Sequence, residues 1–338
     1  MKRRKFLGCS FLSGLAVALK GEENPMNMWT SHAVFSNQQE KIVEHITIQE
    51  DQVNYYMSGL DKPFKVLFLS DTHYTIEDER GKPYYDFSKR MGGEAAKPEN
   101  YGKSNGREKA LLASLEKAKE NQVELVILGG DIINFPSLAS VESLKKILDD
   151  SGLPWAYISG NHDWHYEGEK GTEFDLRKKW THSVLLPLYQ GNNPMCYAKV
   201  VHGINFLFID DSIYEITQEQ LQFLQKEIKR GLPIIVSMHI PIYFPGHSVF
   251  YGCGSPIWNE AHDHLYQIER RLPWPKEGHK EITYQFRKLL LDSPEVIGVL
   301  AGHTHEKKID TWQHKIQYVS AANFTGKDVM IQFLSGQD

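Results

Sequence analysis

The chain is poor in cysteine, with three among its 338 residues. So few thiols exclude a framework of several disulfides and argue against a closed zinc site built from cysteines. If the first twenty residues are removed in the cell, Cys196 and Cys253 are left. These two could pair in an oxidising compartment or stay buried as separate thiols, and the sequence leaves both alternatives open.

An excess of positive charge is also missing. The 38 Lys and Arg residues are outnumbered by 43 Asp and Glu residues, for a formal net charge of −5. This balance gives no electrostatic footprint for nucleic acid, so a polymeric nucleic acid partner is disfavoured. With 41% hydrophobic and 24% charged residues, the composition is that of a globular protein. No internal repeat or low-complexity tract is present.

The sequence lacks an apolar run long enough to cross a bilayer, which takes about 20 residues. Its first apolar stretch, residues 6–19, follows a basic start and contains an Ala-Val-Ala at 16–18. We predict that residues 1–20 are an export signal that resembles the twin-arginine type and carries the protein to the periplasm. The alternative is an apolar helix that stays attached. No membrane span is expected after signal removal, and the polar residues 21–40 indicate a linker.

Five short apolar segments each run directly into polar side chains of the types that bind metal ions. The segments are residues 65–69, 123–129, 154–158, 233–236 and 296–300, and the side chains are Asp71, His73, Asp131, Asn161, His162, His239, His303 and His305. Such runs are typical of strands buried on both faces, and α/β sheets bind ligands at the carboxyl ends of their strands. Asp131 alone could cap a turn after two glycines, but the repetition favours one shared site.

Helical patterns alternate with these strands. We predict helices at residues 107–120, 141–148, 217–230 and 284–291. In the first of them, apolar residues recur at three- and four-residue spacing. Residues 44–59 predict a hairpin that turns near residues 50–51. This order predicts a central sheet covered by helices. The folded domain is expected to span residues 41–338.

Two long irregular insertions, residues 74–104 and 243–280, interrupt the domain. Loops of this length are usually functional. The second insertion is rich in aromatic residues and histidines. It is expected to form a substrate-recognition cap over the site, and the alternative is a surface excursion whose aromatics pack a satellite core. His262 and His264 lack carboxylate or cysteine neighbours at metal spacing and are expected to be solvated.

The motifs, taken together and in order, resemble the signature of the calcineurin-like metallophosphoesterases. They are Asp71-x-His73, Gly130-Asp131-x-x-Asn134, Gly160-Asn161-His162-Asp163, His239 before Ile240-Pro241, and Gly302-His303-x-His305. The resemblance covers the chain from about residue 41 onward. It implies an α/β fold in four layers, an αββα sandwich of two mixed sheets.

The resemblance also implies a dinuclear metal site. Asp71, His73 and His305 would hold one divalent ion, Asn161, His239 and His303 the other, and Asp131 would bridge them. Carboxylates, imidazoles and an amide oxygen suit Mn, Fe, Zn or Co.

In such a site a bridging hydroxide attacks phosphorus in line, and His162 would act as general acid on the leaving oxygen. We therefore expect a hydrolase of small-molecule phosphomonoesters or phosphodiesters. A non-catalytic metal- or phosphate-binding protein that retains the fold is the alternative. The native metals, the substrate and the oligomeric state are left open.

Several residues beside the motifs are secondary candidates. Asn134 stands where serine/threonine phosphatases of this family have an Asp that pairs with the catalytic His, so it is expected to orient His162. Asp163 is expected to fix the loop that presents His162. The pair Asp210-Asp211 is expected to cap the turn after the strand at residues 206–209. Trp164, His165 and Tyr166 follow the catalytic loop and could line the pocket or pack in the core.

Overall fold

The computed structural model describes residues 42–247, 252–259 and 278–336. The predicted export signal and linker lie outside these residues, as do residues 248–251 and 260–277 of the second insertion with His262 and His264. Those expectations therefore stay predictions. All the described residues belong to one unit, Gln39–Asp338.

The first sheet has six strands and begins with the predicted hairpin. In spatial order its strands are β1 (Ile42–Gln49), β2 (Gln52–Ser58), β12 (Val329–Ser335), β3 (Phe64–Leu69), β4 (Leu125–Gly129) and β5 (Trp155–Ile158). β3, β4 and β5 are parallel, whereas β12 is antiparallel to β3 and parallel to β2. The sheet is therefore mixed, and its parallel strands present their carboxyl ends at one edge.

The second sheet is also six-stranded and mixed. In spatial order its strands are β10 (Lys308–Trp312), β11 (Lys315–Val319), β9 (Val296–Ala301), β8 (Ile234–Ser237), β7 (Ile204–Ile209) and β6 (Cys196–Val201). The central strands β11, β9, β8 and β7 are parallel, and the two edge strands are antiparallel to their neighbours.

Helices occupy the connections between the strands. Those described are α1 (Tyr85–Gly92), α2 (Glu108–Glu120), α3 (Leu138–Ser151), α4 (Glu173–Trp180), α5 (Leu186–Tyr189), α6 (Gln218–Ile228) and α7 (Glu281–Asp292). The four predicted helices correspond to α2, α3, α6 and α7. α4 and α5, joined by a π-helical turn, were not predicted. No helix in the described part of the chain combines the length and apolar character needed to cross a membrane.

The first insertion is less irregular than expected, because it contains α1. Its glycines and prolines indicated a loop, but residues 84–91 between Pro83 and Gly92 contain neither. Phe87 and Met91 of this helix pack against the hydrophobic core. Tertiary packing therefore stabilises a short helix whose own sequence gave a weak signal.

The two sheets pack face to face, as alternate residues of β7 show. Phe206 and Phe208 join the core shared with the first sheet, whereas Leu207 and Ile209 join a second core that includes residues of α6 and α7. Residues of α2 and α3 pack against the shared core from the first sheet's side. The predicted αββα sandwich is confirmed. Cys196 and Cys253 are both buried free thiols, so they form no disulfide here.

Candidate functional site

The carboxyl ends of five parallel strands bring all eight predicted site residues together. β3 leads to Asp71 and His73, β4 to Asp131 and β5 to Asn161 and His162, all from the first sheet. β8 leads to His239 and β9 to His303 and His305, all from the second sheet. The contacts between the two groups lie where the sheets meet, so neither sheet alone forms the site.

One group of side chains could hold a first metal ion. Nε2 of His73 lies 3.0 Å from Nε2 of His305, and Nε2 of His305 lies 3.4 Å from Oδ1 of Asp71. Asp71 and His73 are buried, whereas His305 is exposed. Separations of this size are those of donor atoms that each lie about 2.0–2.2 Å from one ion. The three residues could therefore surround a divalent cation that is open to solvent on the His305 side.

A second group lies next to the first. Oδ2 of Asp131 is 3.1 Å from Nε2 of His239, and Nδ1 of His303 is 3.1 Å from Oδ1 of Asn161. Oδ2 of Asp131 is also 3.9 Å from Nε2 of His73 in the first group. Asp131 therefore faces both groups, which is the position that a bridging carboxylate needs.

The protonation of His73 and His303 fits metal binding, and that of His239 depends on the carboxylates beside it. Nδ1 of His239 donates a hydrogen bond to the carbonyl oxygen of Gly129, which directs Nε2 towards Asp131. Burial lowers the pKa of His73 and of His303 to about 3, so both are neutral imidazoles. Burial also lowers the pKa of His239, but Asp131 and Asp71 outweigh it and raise the value to about 10. The two carboxylates thus attract a positive charge to this position, either a proton or a metal ion.

The backbone at the strand ends is strained where the candidate ligands lie. Five of them have a positive φ between 48° and 71°: Asp71, His73, Asp131, His303 and His305. Residues other than glycine adopt this left-handed region at a cost of about 1–2 kcal/mol each. Such strain persists where the surrounding structure enforces it, and it concentrates at functional sites.

Two glycines leave room for the carboxylates. A Cβ on Gly302 would lie 2.4 Å from Oδ2 of Asp71, and a Cβ on Gly160 would lie 2.2 Å from Oδ1 of Asp131. Both distances are shorter than any real contact, so a side chain at either position would displace a candidate ligand.

Two further carboxylates support the site from behind. Asp163 accepts hydrogen bonds from the backbone N–H groups of Asp131, Ile133 and Gly160, at 2.7–2.9 Å. This is the loop-fixing role expected of it. Asp210 accepts from the N–H of Ser212 and caps the turn, also as expected.

Asp211 does not cap the turn after β7 as expected but accepts hydrogen bonds from the end of β8. Its Oδ1 accepts from the N–H groups of His239 and Ile240, at 3.0 and 3.1 Å. It therefore holds the end of β8 rather than its own turn. This contact joins residues far apart in sequence, so the local pattern gave no sign of it.

The role expected of Asn134 was partly wrong. Its side-chain Oδ1 contacts Nδ1 of His73, at 3.1 Å, and its Nδ2 donates to the carbonyl oxygen of Met91. His162 instead meets the backbone of Asn134, since Nδ1 of His162 lies 3.2 Å from the Asn134 carbonyl oxygen. The amide side chain therefore orients a candidate metal ligand, and the main chain orients the candidate general acid.

Trp164, His165 and Tyr166 pack in the interior. All three are buried, and Nε1 of Trp164 donates to Oγ of Ser212. The ring of Tyr166 stacks on Tyr84. All three residues therefore pack in the interior, which is one of the two alternatives.

Tyr214 is a site residue that the sequence analysis missed. Its hydroxyl lies 2.8 Å from Nε2 of His303, on the opposite side of the ring from Asn161. Outer partners of this kind orient metal-binding histidines. Tyr214 follows β7, whose carboxyl end lies at the same edge as the other motifs, and that position was the signal available in the sequence.

The described ends of the second insertion pack against Tyr214. Trp258 stacks on Tyr214 with ring centroids 5.4 Å apart, and His279 also stacks on Trp258, at a centroid distance of 4.1 Å. All three rings are buried. These parts of the insertion form packed structure, as the satellite-core alternative supposed. The cap was predicted for the whole of residues 243–280, and because residues 248–251 and 260–277 lie outside the described residues it stays a prediction.

The fold and the two clusters together define a four-layer αββα sandwich with residues that could hold two metal ions. The sequence profile of the calcineurin-like phosphoesterases matches residues 64–307, and the chain belongs to that family.

Among curated proteins, the chain is 26% identical over 141 residues to a probable cyclic nucleotide phosphodiesterase of Fibrobacter succinogenes, covering 41% of this chain and 50% of that one. It is 21% identical over 201 residues to another from Psychrobacter arcticus, covering 56% and 60%. The matches thus span about half the length of these relatives. Among solved structures, a dimetal phosphatase from Danio rerio is similar at a TM-score of 0.48 and 12% identity, covering 78% of this chain and 89% of that one.

Proposed function

We propose that this protein is a metal-dependent hydrolase of small-molecule phosphoric esters. The observation that carries the proposal is the pair of clusters that share Asp131, one with Asp71, His73 and His305 and one with Asn161, His239 and His303. Nε2 of His239 is buried and faces Oδ2 of Asp131, 3.1 Å away. Both atoms are of types that bind divalent ions, and a bound ion would take the place of the proton that this pair otherwise holds.

Two divalent ions bound at such a centre would supply a nucleophilic water of lowered pKa and would neutralise charge on the phosphoryl group. The protein residues supply the arrangement. Asp71 and Asp131 provide negative charge, and the imidazoles and the Asn161 amide complete the donor sets. Mn, Fe, Zn or Co suit these ligand types. Asp131 Oδ1 also accepts the backbone N–H of His162, at 2.8 Å, and so fixes the loop that carries this histidine.

His162 is the proposed general acid. One of its ring nitrogens lies within 4.8 Å of donor atoms of His73 and Asp131, and the residue is half-buried. The Asn134 carbonyl accepts a hydrogen bond from Nδ1, which leaves Nε2 to hold and deliver a proton to the leaving oxygen.

The substrate class rests on the family and on the descriptions of its relatives. Phosphomonoesters and phosphodiesters are both candidates, and a cyclic nucleotide is a diester to test because the curated relatives are described as probable cyclic nucleotide phosphodiesterases. Export to the periplasm is likewise a proposal, which rests on residues 1–20 alone.

The test is hydrolysis of p-nitrophenyl phosphate, bis-p-nitrophenyl phosphate and 3′,5′-cyclic AMP by protein that is metal-free or supplied with Mn, Zn, Fe or Co. Asp131→Asn should lose bound metal and at least about 10³-fold of the turnover, since metal ions contribute several kcal/mol. His162→Asn should keep its metals and lose about 10²- to 10⁴-fold. The ratio of rates between the esters then assigns monoester or diester preference.

Matched controls exist on the surface. Asp150 and His182 are exposed, so Asp150→Asn and His182→Asn should leave turnover unchanged. Stoichiometric metal binding without turnover of any ester would contradict the proposal and favour the non-catalytic binding protein.

A further inference from the structure

Arg107 lies near the first group of candidate metal ligands, Asp71, His73 and His305, without belonging to it. Its guanidinium carbon is 4.3 Å from the centre of the Phe324 ring. The same ring contacts His305 and His73, with centroid distances of 5.4 and 5.9 Å. The guanidinium is therefore one side chain away from two candidate metal ligands, of which His305 is exposed to solvent.

The charge of Arg107 is not compensated by the described residues. Three other described arginines face carboxylates: Arg80 pairs with Asp78 and Glu142, Arg177 with Asp210, and Arg230 with Glu227. Arg287 is half-buried without a carboxylate in the described part of the chain, but its Nε donates to the carbonyl oxygen of Tyr243. No carboxylate within the described ranges pairs with Arg107, and burial lowers its pKa. A half-buried cation without a counter-charge is unfavourable, so this position favours an anion from outside the protein.

The loop that carries Arg107 is fixed relative to the metal cluster. Asn105 Nδ2 donates to the carbonyl oxygen of His73, at 2.8 Å. The backbone N–H of Asn105 donates to the carbonyl oxygen of Thr75, at 2.9 Å. Oδ1 of Asn105 accepts the N–H of Arg107, at 3.2 Å. The segment before Arg107 is thus tied to the backbone of a candidate ligand. Such anchoring reduces the entropy that the arginine must lose on binding.

We propose that Arg107 binds a second anionic group of the substrate, in addition to the phosphoryl group at the metal cluster. This inference rests on the proposed function and deepens it, because it names the substrate class as small phosphoric esters that carry another negative charge. A planar guanidinium can form two parallel hydrogen bonds with a carboxylate or a phosphate, which gives direction as well as charge.

The test compares two non-hydrolysable ligands that differ by one carboxylate, phenylphosphonate and 4-phosphonobenzoate. Calorimetry on the metal-loaded full chain measures their dissociation constants. The unsubstituted protein should bind 4-phosphonobenzoate more tightly, and Arg107→Gln should remove roughly 10- to 100-fold of that preference. Arg107→Lys, which keeps the charge without the planar fork, should keep part of it. Arg230→Gln is the matched control and should keep all of it.

Three results would overturn the inference. They are an absence of preference in the unsubstituted protein, an unchanged preference in Arg107→Gln, and an equal loss of affinity for both ligands, which would assign Arg107 to the phosphoryl group itself. The metal content of each variant shows whether the site is intact. Turnover of p-nitrophenyl phosphate by the unsubstituted protein tests the proposed function separately, so the two can fail independently.

Discussion

Two layers of buried carboxylates lie within a few ångströms of each other and behave differently. The front layer, Asp71 and Asp131, faces the candidate metal positions and is surrounded by imidazoles. The back layer, Asp163 and Asp211, accepts hydrogen bonds from backbone N–H groups of the strand ends. Residue type and burial are the same, so the neighbours alone make the difference.

The pKa values follow the neighbours. Burial raises the pKa of Asp71 and of Asp131, but hydrogen bonds and charges from His305 and His239 outweigh it and hold both below their usual range. Burial raises the pKa of Asp211 to about 7, although the N–H groups of Ile240 and His239 oppose it. Burial and the nearby charge of Asp131 likewise raise the pKa of Asp163. The front layer therefore holds negative charge for a cation, and the back layer holds the loops.

Metal removal should have the largest effect on stability and should act through the front layer. At free metal about 100 times the dissociation constant, binding stabilises the fold by about 2.7 kcal/mol. For a domain of this size that corresponds to roughly 4 °C in the thermal midpoint, which calorimetry with and without a chelator measures. Asp131→Asn is the control, because its midpoint should not respond to the chelator. An equal response in that variant would mean that the stabilising ion binds elsewhere.

The back layer should respond to a change that leaves metals untouched. Asp163 uses both carboxylate oxygens for three backbone donors, and an asparagine can offer only one oxygen. Asp163→Asn should therefore lower the free energy of unfolding by about 2 kcal/mol. Asp211 uses only Oδ1 for its two backbone donors, so Asp211→Asn should cost less than about 1 kcal/mol. Urea denaturation measures the free energy of unfolding of both variants. Equal losses in Asp163→Asn and Asp211→Asn would contradict the difference expected between the two residues.

Tyr214 offers the smallest and most selective change. Tyr214→Phe removes the hydroxyl next to Nε2 of His303. The substitution should lower the affinity for one of the two metal ions by about 10-fold, or about 1.4 kcal/mol. Metal titration against an indicator chelator resolves the two affinities. Tyr55→Phe is the matched control, since the Tyr55 hydroxyl is buried without a hydrogen-bond partner in the described part of the chain. If Tyr214→Phe binds both metals with unchanged affinity, the hydroxyl does not position His303.

Much of this architecture could be predicted because its signals are local. The apolar strands, the helix periodicity and the glycine-flanked motifs lie within short windows, and the family resemblance supplied the order of the layers. The prediction failed for residues 84–91, which form a helix because Phe87 and Met91 pack against a core. For Trp164 and His165 the sequence left two alternatives open, and the structure places both side chains in the interior although they directly follow the catalytic loop.

The amino-acid sequence by itself determined which side chains lie at strand ends, and parallel strands bring those of one sheet to a common edge. That the two sheets bring their sets together in one site was implied by the family resemblance. Only the tertiary structure decided what supports them. Asp211 holds β8, Tyr214 reaches His303, and Asn134 contacts His73 with its side chain and His162 with its carbonyl group. These contacts depend on how the two sheets and their loops approach in space, with partners up to 89 residues apart in the chain. Local patterns carry no information about such distances.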